Sequence, residues 1–342
     1  MKRLPQDSKF DLMRMLDRFT RANGLNVRDP TSSDSLIEAL KGQLHTNLNN
    51  DTLFHGLRVQ SMFAYVTVAL GGCRLVKEED AGELYTDEDS ARPDFRVLTS
   101  ADRQLLIEVK NCHTANPGRG CRLSRPALER LQRYASAFQV ELLVAVFWSR
   151  LRVWTLVGAN DFTVEDGKCV ISFEQAMKRN QMHVLGDCMV GTKPPLTLKL
   201  FTDPTKARTV GPCGKTVFTI ARADLYCGDS LIEDETEKRL AWFFMNYGTW
   251  HVCDTLADVA ESELVGISLR VASEERDNPC QQFEILGCLS TMISLEFNAT
   301  TVNDGTLSLL SPRREPDTFG VLIPRGYKGK ALPLWRFTIE PA

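Results

Sequence analysis

Apolar residues in the first fifty positions recur at helical spacing, as in Leu12, Met15, Leu16 and Phe19. Asp29-Pro30-Thr31-Ser32-Ser33-Asp34 breaks this pattern as a turn, and a second helix is expected from about Ser35. Residues 54–70 form a third, with Leu57, Met62, Val66 and Leu70 among its apolar positions, and Gly71-Gly72 ends it. From Cys73 a short strand runs into an acidic loop. Two strands follow, Asp94–Leu98 and Gln104–Lys110, joined by Thr-Ser-Ala-Asp as a β-hairpin. After a basic, glycine-containing loop, Ser124–Pro126 starts a helix that reaches about Phe138. The continuous apolar run VELLVAVFW has strand length and reads as a strand buried on both faces. LRVWTLV is a further strand after a tight turn at Ser149-Arg150.

Residues 54–157 thus read as an α/β unit of ordinary domain size. Residues 160–170 look like a boundary. Beyond them, strand-like pieces (TLKLFTD, KTVFTIARADLY, LVGISLRVA, TMISLEFNA, LWRFTIE) surround one clear helix, about Glu233–Tyr247. The expected layout is an N-terminal helical segment over 1–50, an α/β domain over 51–160 and an α+β domain over 165–342.

The composition is that of an ordinary globular chain: 342 residues, 43% apolar and 25% charged. The net charge of −3 excludes a polycation, so any nucleic-acid site must be a local basic patch. No apolar run has the length of a membrane span, and the start of the chain lacks a signal-peptide pattern, so a cytoplasmic protein is expected. None of the ten cysteines makes a CxxC pair, which favours reduced, mostly buried thiols. Cys112, His113 and Cys121 lack a fourth ligand for zinc. Gly214-Lys215-Thr216 ends like a P-loop, but the glycine that motif needs at 209 is Thr209, and a strand follows.

The charges that demand an account lie in ARPDFRVLTSADRQLLIEVK, residues 91–110. Charged groups in a half-buried sheet are costly unless paired or bound to a metal. Alternation puts Leu105, Ile107 and Val109 on one face of their strand, and Glu108 and Lys110 on the other. A hairpin turning at 99–102 brings Asp94 within reach of Glu108. Two carboxylates and a backbone carbonyl form a hard-oxygen site suited to Mg2+ or Mn2+. An adjacent lysine orients water or stabilises charge on a phosphate, as metal-assisted phosphodiester hydrolysis requires. The local charge agrees: from Arg92 to Arg133, nine Lys or Arg stand against four Asp or Glu. Arg119, Arg122 and Arg125 follow the motif on the basic loop, where phosphates would pass.

Pro93-Asp94 followed by Glu108-Val109-Lys110 resembles the PD-(D/E)xK motif of the restriction-endonuclease-like nucleases, over residues 54–157. The resemblance implies a mixed sheet flanked by helices and a divalent-metal-dependent endonuclease. It implies that Asp94, Glu108 and the Val109 carbonyl bind the metal, and that Lys110 positions water. In members similar to archaeal Holliday-junction resolvases, a helix opening with glycine carries a glutamate four residues later. Here Gly56 opens the helix and position 60 is Gln60, either a weaker neutral ligand or a departure that leaves a third carboxylate to Glu79 or Asp80. Gln132 matches a glutamine on the helix after the lysine strand. Fusion to a second domain is similar to bacterial defence nucleases, with junction resolution or repair as alternatives. DNA is the expected partner, RNA stays open as a substrate, as does a homo-oligomer, and no membrane is expected. The competing readings are a surface ion pair between Glu108 and Lys110, worth little, and a scaffold that binds nucleic acid without cutting.

Overall fold

The computed structural model describes residues 8–79, 83–114, 116–206, 209–210, 216–260, 263–272, 281–304, 306–313, 323–324 and 326–341. Helices α1 (Ser8–Asn23) and α2 (Pro30–Leu48) lead into α3 (Asp51–Leu70). The second helix starts earlier than its apolar pattern does. Asp29 caps it, accepting from Thr31 N at 2.9 Å, and Pro30 occupies the first turn, where its missing N–H costs nothing. Asn50 caps α3, accepting from Leu53 N at 3.1 Å, and Gly71 ends it in the left-handed region at φ 72°.

The strands β1 (Cys73–Glu78), β2 (Phe95–Thr99), β3 (Gln104–Cys112), β4 (Cys121–Ser124), β5 (Glu141–Trp148) and β6 (Val153–Gly158) surround α4 (Arg125–Ala137). Five of them form one mixed sheet in the order β1-β2-β3-β5-β6. Only the β3–β5 pair is parallel, because α4 makes the crossover between them. Helix α3 packs on one face, where Val59, Met62, Phe63 and Val66 meet Leu105, Ile107 and Val109. Helix α4 covers the other, where Leu128, Leu131 and Ala135 meet Leu106, Val144 and Val146. Full burial of each of the larger of these side chains stabilises the fold by about 1.5–3 kcal/mol. The second face of β3 is therefore closed over Leu106 and Glu108, and it opens at Gln104, where the strand begins, and toward Lys110. Strand alternation by itself would leave that whole face to solvent; the helix that crosses it does not.

The segment expected as a boundary is folded. Strands β7 (Thr163–Glu165) and β8 (Lys168–Ile171) form a hairpin, and β8 pairs with β4, a strand inside the stretch expected as a basic loop. Alternating burial of Cys121 and Leu123 against Arg122 and Ser124 marks β4 as a true strand. Short polar strands paired far along the chain leave little local pattern.

Beyond Ile171 come α5 (Phe173–Lys178), β9 (Met189–Thr192), β10 (Leu196–Thr202), β11 (Thr209–Val210) and β12 (Thr216–Val217). Gly214 and Lys215 lie outside the described residues. Then follow β13 (Ile220–Cys227), β14 (Ser230–Leu231), α6 (Glu235–Tyr247), β15 (Val252–Ala260), β16 (Glu263–Ala272) and β17 (Glu284–Cys288). The rest are α7 (Leu289–Thr301), β18 (Val302–Asn303), β19 (Thr306–Leu307) and β20 (Leu334–Phe337). An antiparallel sheet runs β14-β13-β10-β16-β15, and a smaller one runs β17-β9-β20. TMISLEFNA, expected as a strand, lies within α7. Its buried positions Leu289, Met292, Ile293, Glu296 and Phe297 have helical spacing, and the buried Ser290, Ser294 and Glu296 disguise it in the sequence.

Helix α7 binds the two halves together. Trp154 Nε1 donates to Ser294 Oγ at 2.9 Å, Tyr65 meets Phe297 edge-on, and Arg58 bonds to Asn298. One apolar cluster runs from α3 and the mixed sheet through Leu240, Phe244 and Phe297 to Leu332. The C-terminal segment is held by Glu237 on α6, whose carboxylate accepts the backbone N–H groups of Lys330, Ala331 and Leu332 at 2.6, 3.0 and 3.1 Å.

Candidate active site

The β2–β3 register places Phe95 opposite Ile107, so Asp94 stands beside Glu108 at the end where β2 begins and β3 continues. Asp94 Oδ2 accepts from Val109 N at 2.7 Å, and Asp94 Oδ1 accepts from Gln60 Nε2 at 2.7 Å. Glu108 is 9% exposed and forms a close ion pair with Lys110. Three elements thus deliver four side chains: α3 gives Gln60, the start of β2 gives Asp94, and β3 gives Glu108 and Lys110.

Burial sets the electrostatics here. The Asp94 carboxyl is pushed up to about 7, first by desolvation and next by the Glu108 charge, while Lys110 and the Val109 N–H pull it down. The Lys110 pKa is raised: burial alone would lower it, but Glu108 and Asp94 outweigh that effect. Two carboxylates held this close need a cation between or beside them, and one lysine serves both.

Glu78 enters here as well. It ends β1 opposite Phe95, and its charge also raises Asp94. No spacing rule ties it to the motif, so only the β1–β2 pairing reveals it. Glu79 is engaged by Arg96 at 3.0 Å and by Tyr134 OH, which donates at 3.4 Å. Asp80 lies outside the described residues. Gln132, expected beside the carboxylates, instead donates to Asn160 Oδ1 at 3.0 Å, because its turn of α4 faces the loop after β6.

Two cavities flank these groups. One of about 380 Å³ is lined by Glu78, Glu79, Arg92 and Asp94. The other, about 600 Å³, is lined by Lys110, His113, Thr114, Arg119 and Arg122. Arg119 and Arg122 are exposed and face that basic cavity. Arg125 does not line it. It begins α4 and pairs along the helix with Glu129 at 2.8 Å. His113 Nδ1 lies 2.9 Å from Ser149 Oγ.

Among the described residues, no group of three or more His, Cys, Asp or Glu side chains is gathered closely enough to hold a metal ion. The donor set of Asp94, Glu108 and the Val109 carbonyl is nonetheless all hard oxygen, the chemistry Mg2+ and Mn2+ accept. Among the described residues, no helix is long and apolar enough to cross a membrane.

Among solved structures, this chain is similar to a Holliday junction resolvase from the archaeal hyperthermophile Archaeoglobus fulgidus. The similarity covers 39% of this chain and 96% of that one, at 20% identity and a TM-score of 0.31. Likeness at that level carries no functional argument. No family model matches the chain, and no curated protein does.

Proposed function

We propose that this protein is a divalent-metal-dependent endonuclease acting on DNA. The observation that carries the reading is the meeting of Asp94, Glu108 and Lys110 at one buried strand end, beside a cavity walled by Arg119 and Arg122. A surface ion pair would not draw in a second carboxylate whose pKa rises to about 7.

Asp94, Glu108 and the Val109 carbonyl would hold the ion, and Gln60 would steady Asp94 through its amide N–H. When bound, the ion supplies Lewis acidity toward a phosphate oxygen and makes water more acidic. Lys110 does the remaining local work. Its ammonium orients a water and balances the negative charge that grows on the phosphate. Arg119 and Arg122 hold the neighbouring phosphates of the strand, fixing position without reading sequence.

A second reading, a scaffold that binds nucleic acid without cutting, draws on Gln60. It offers Asp94 a hydrogen-bond donor where a carboxylate would add a further metal ligand. The two separate in one experiment: duplex DNA is incubated with the protein, with and without Mg2+. The nuclease reading predicts new strand ends that depend on the metal. Salt-sensitive binding with intact DNA in every lane would establish the scaffold instead.

A further inference from the structure

We propose that Cys112 and Cys121 are an oxidisable dithiol that closes into a disulfide in the wall of the basic cavity beside Lys110. Cys112 ends β3 and Cys121 begins β4, so the two strand ends are bridged by residues 113–120. Both cysteines line the same cavity as Lys110, Arg119 and Arg122. They are 8% and 4% exposed, and the cavity they line is their route to solvent. The entry to β4 is rigid. Gly120 sits at φ +67°, and a Cβ there would lie 2.4 Å from the Ile171 carbonyl oxygen, so this backbone is pinned against β8.

The thiols are chemically unequal. Cys112 Sγ donates to the carbonyl of Gly120, the residue before Cys121, at 3.7 Å, and the closeness of the two thiols lowers the pKa of Cys112 and raises that of Cys121. Cys112 is therefore the nucleophile and Cys121 the resolving thiol. Cys188 and Cys288, which also lie near one another, are both pushed up by burial and by Asp187, to about 11 and about 12. Both stay protonated thiols, so that pair is the poorer one.

The oxidant is a low-molecular-weight disulfide such as oxidised glutathione. The Cys112 thiolate attacks one of its sulfurs, the glutathione S–S bond breaks, and one glutathione thiolate leaves. Cys121 then loses its proton to solvent, with Lys110 favouring the anion. Its sulfur attacks that of Cys112 and expels the second glutathione. Two protein thiols are oxidised, one glutathione disulfide is reduced, and the two protons pass to the two thiolates released. The new bond ties the end of β3 directly to the start of β4, restraining Arg119 and narrowing the cavity at Lys110. The expected consequence is at least a tenfold fall in cleavage, reversed by reductant. That consequence rests on the nuclease reading, whereas the disulfide itself does not.

The test uses the full chain, reduced and desalted, then incubated with oxidised glutathione, alkylated and mapped by mass spectrometry. The expected result is a peptide linked through Cys112 and Cys121, absent in Cys112→Ser. Persistence of both thiols, or preferential linkage of Cys188 to Cys288, would overturn the proposal. With the link mapped, cleavage that is unchanged by oxidation overturns its regulatory half. A mapped link in a protein that cuts in neither redox state counts against the nuclease reading and supports the dithiol.

Discussion

Asp94→Asn should stabilise the metal-free protein at alkaline pH while removing its activity. In the native state the Asp94 carboxyl is raised from 3.8 to about 7, with burial first and the Glu108 charge second. The native protein therefore holds this proton longer than the unfolded chain does. Stability attached to Asp94 is fully present below about pH 4, is lost as pH rises toward 7, and stays lost above that. A tenfold change in proton affinity corresponds to about 1.4 kcal/mol, so the charge withholds on the order of 2–4 kcal/mol at pH 8. Asparagine cannot ionise. It keeps an oxygen for the Val109 N–H, and Gln60 can turn its amide to accept from the new NH2 group. Thermal unfolding in EDTA at pH 5 and pH 8 measures the difference. The expected outcome is a small gain at pH 5, where the unfolded carboxyl is already ionised, and a larger one at pH 8, with a melting temperature several degrees above the parent. Asp187 and Glu296 are also raised, to about 6 and about 7, but they are present in both proteins and cancel. A variant destabilised equally at both pH values would refute the electrostatic reasoning. Added Mg2+ should stabilise the parent and leave Asp94→Asn unchanged.

Further expectations follow from other contacts. Glu296→Gln, which removes a carboxyl raised to about 7 by burial beside Tyr65, should likewise gain stability at pH 8 relative to pH 5 in the same assay. Glu237→Ala leaves three backbone N–H groups at 330–332 without their acceptor and should cost about 2–4 kcal/mol, measured by urea unfolding. Arg119→Ala and Arg122→Ala should each weaken duplex binding across sequences and reduce the slope of log affinity against log salt by about one. Arg125→Ala, whose partner is Glu129, should leave that slope nearly unchanged.

The mixed sheet and its two covering helices were legible because their signals are local. The unbroken apolar run LLVAVFW announces a strand buried on both faces, and β5 is such a strand, flanked by β3 and β6 in the sheet. Hairpin arithmetic about residues 99–102 was enough to set Asp94 beside Glu108. The failures share one cause, dependence on partners distant in sequence. Strand β4 exists because β8 pairs with it, and Arg125 and Gln132 point where α4 turns them rather than where proximity to Lys110 would send them. Helix α7 hid its period because its buried face includes Ser294, whose hydroxyl serves Trp154 across the core. Glu78 became part of the site only through the register of β1 on β2.

The most direct test of the nuclease assignment is cleavage by the parent and by Lys110→Ala. Supercoiled plasmid, linear duplex and single-stranded DNA would each be incubated with Mg2+, Mn2+ or EDTA. Metal-dependent cutting is expected from the parent and none from the variant, with both proteins showing the same cooperative unfolding. Equal cutting by a folded Lys110→Ala protein, or cutting that persists in EDTA, would contradict the assignment.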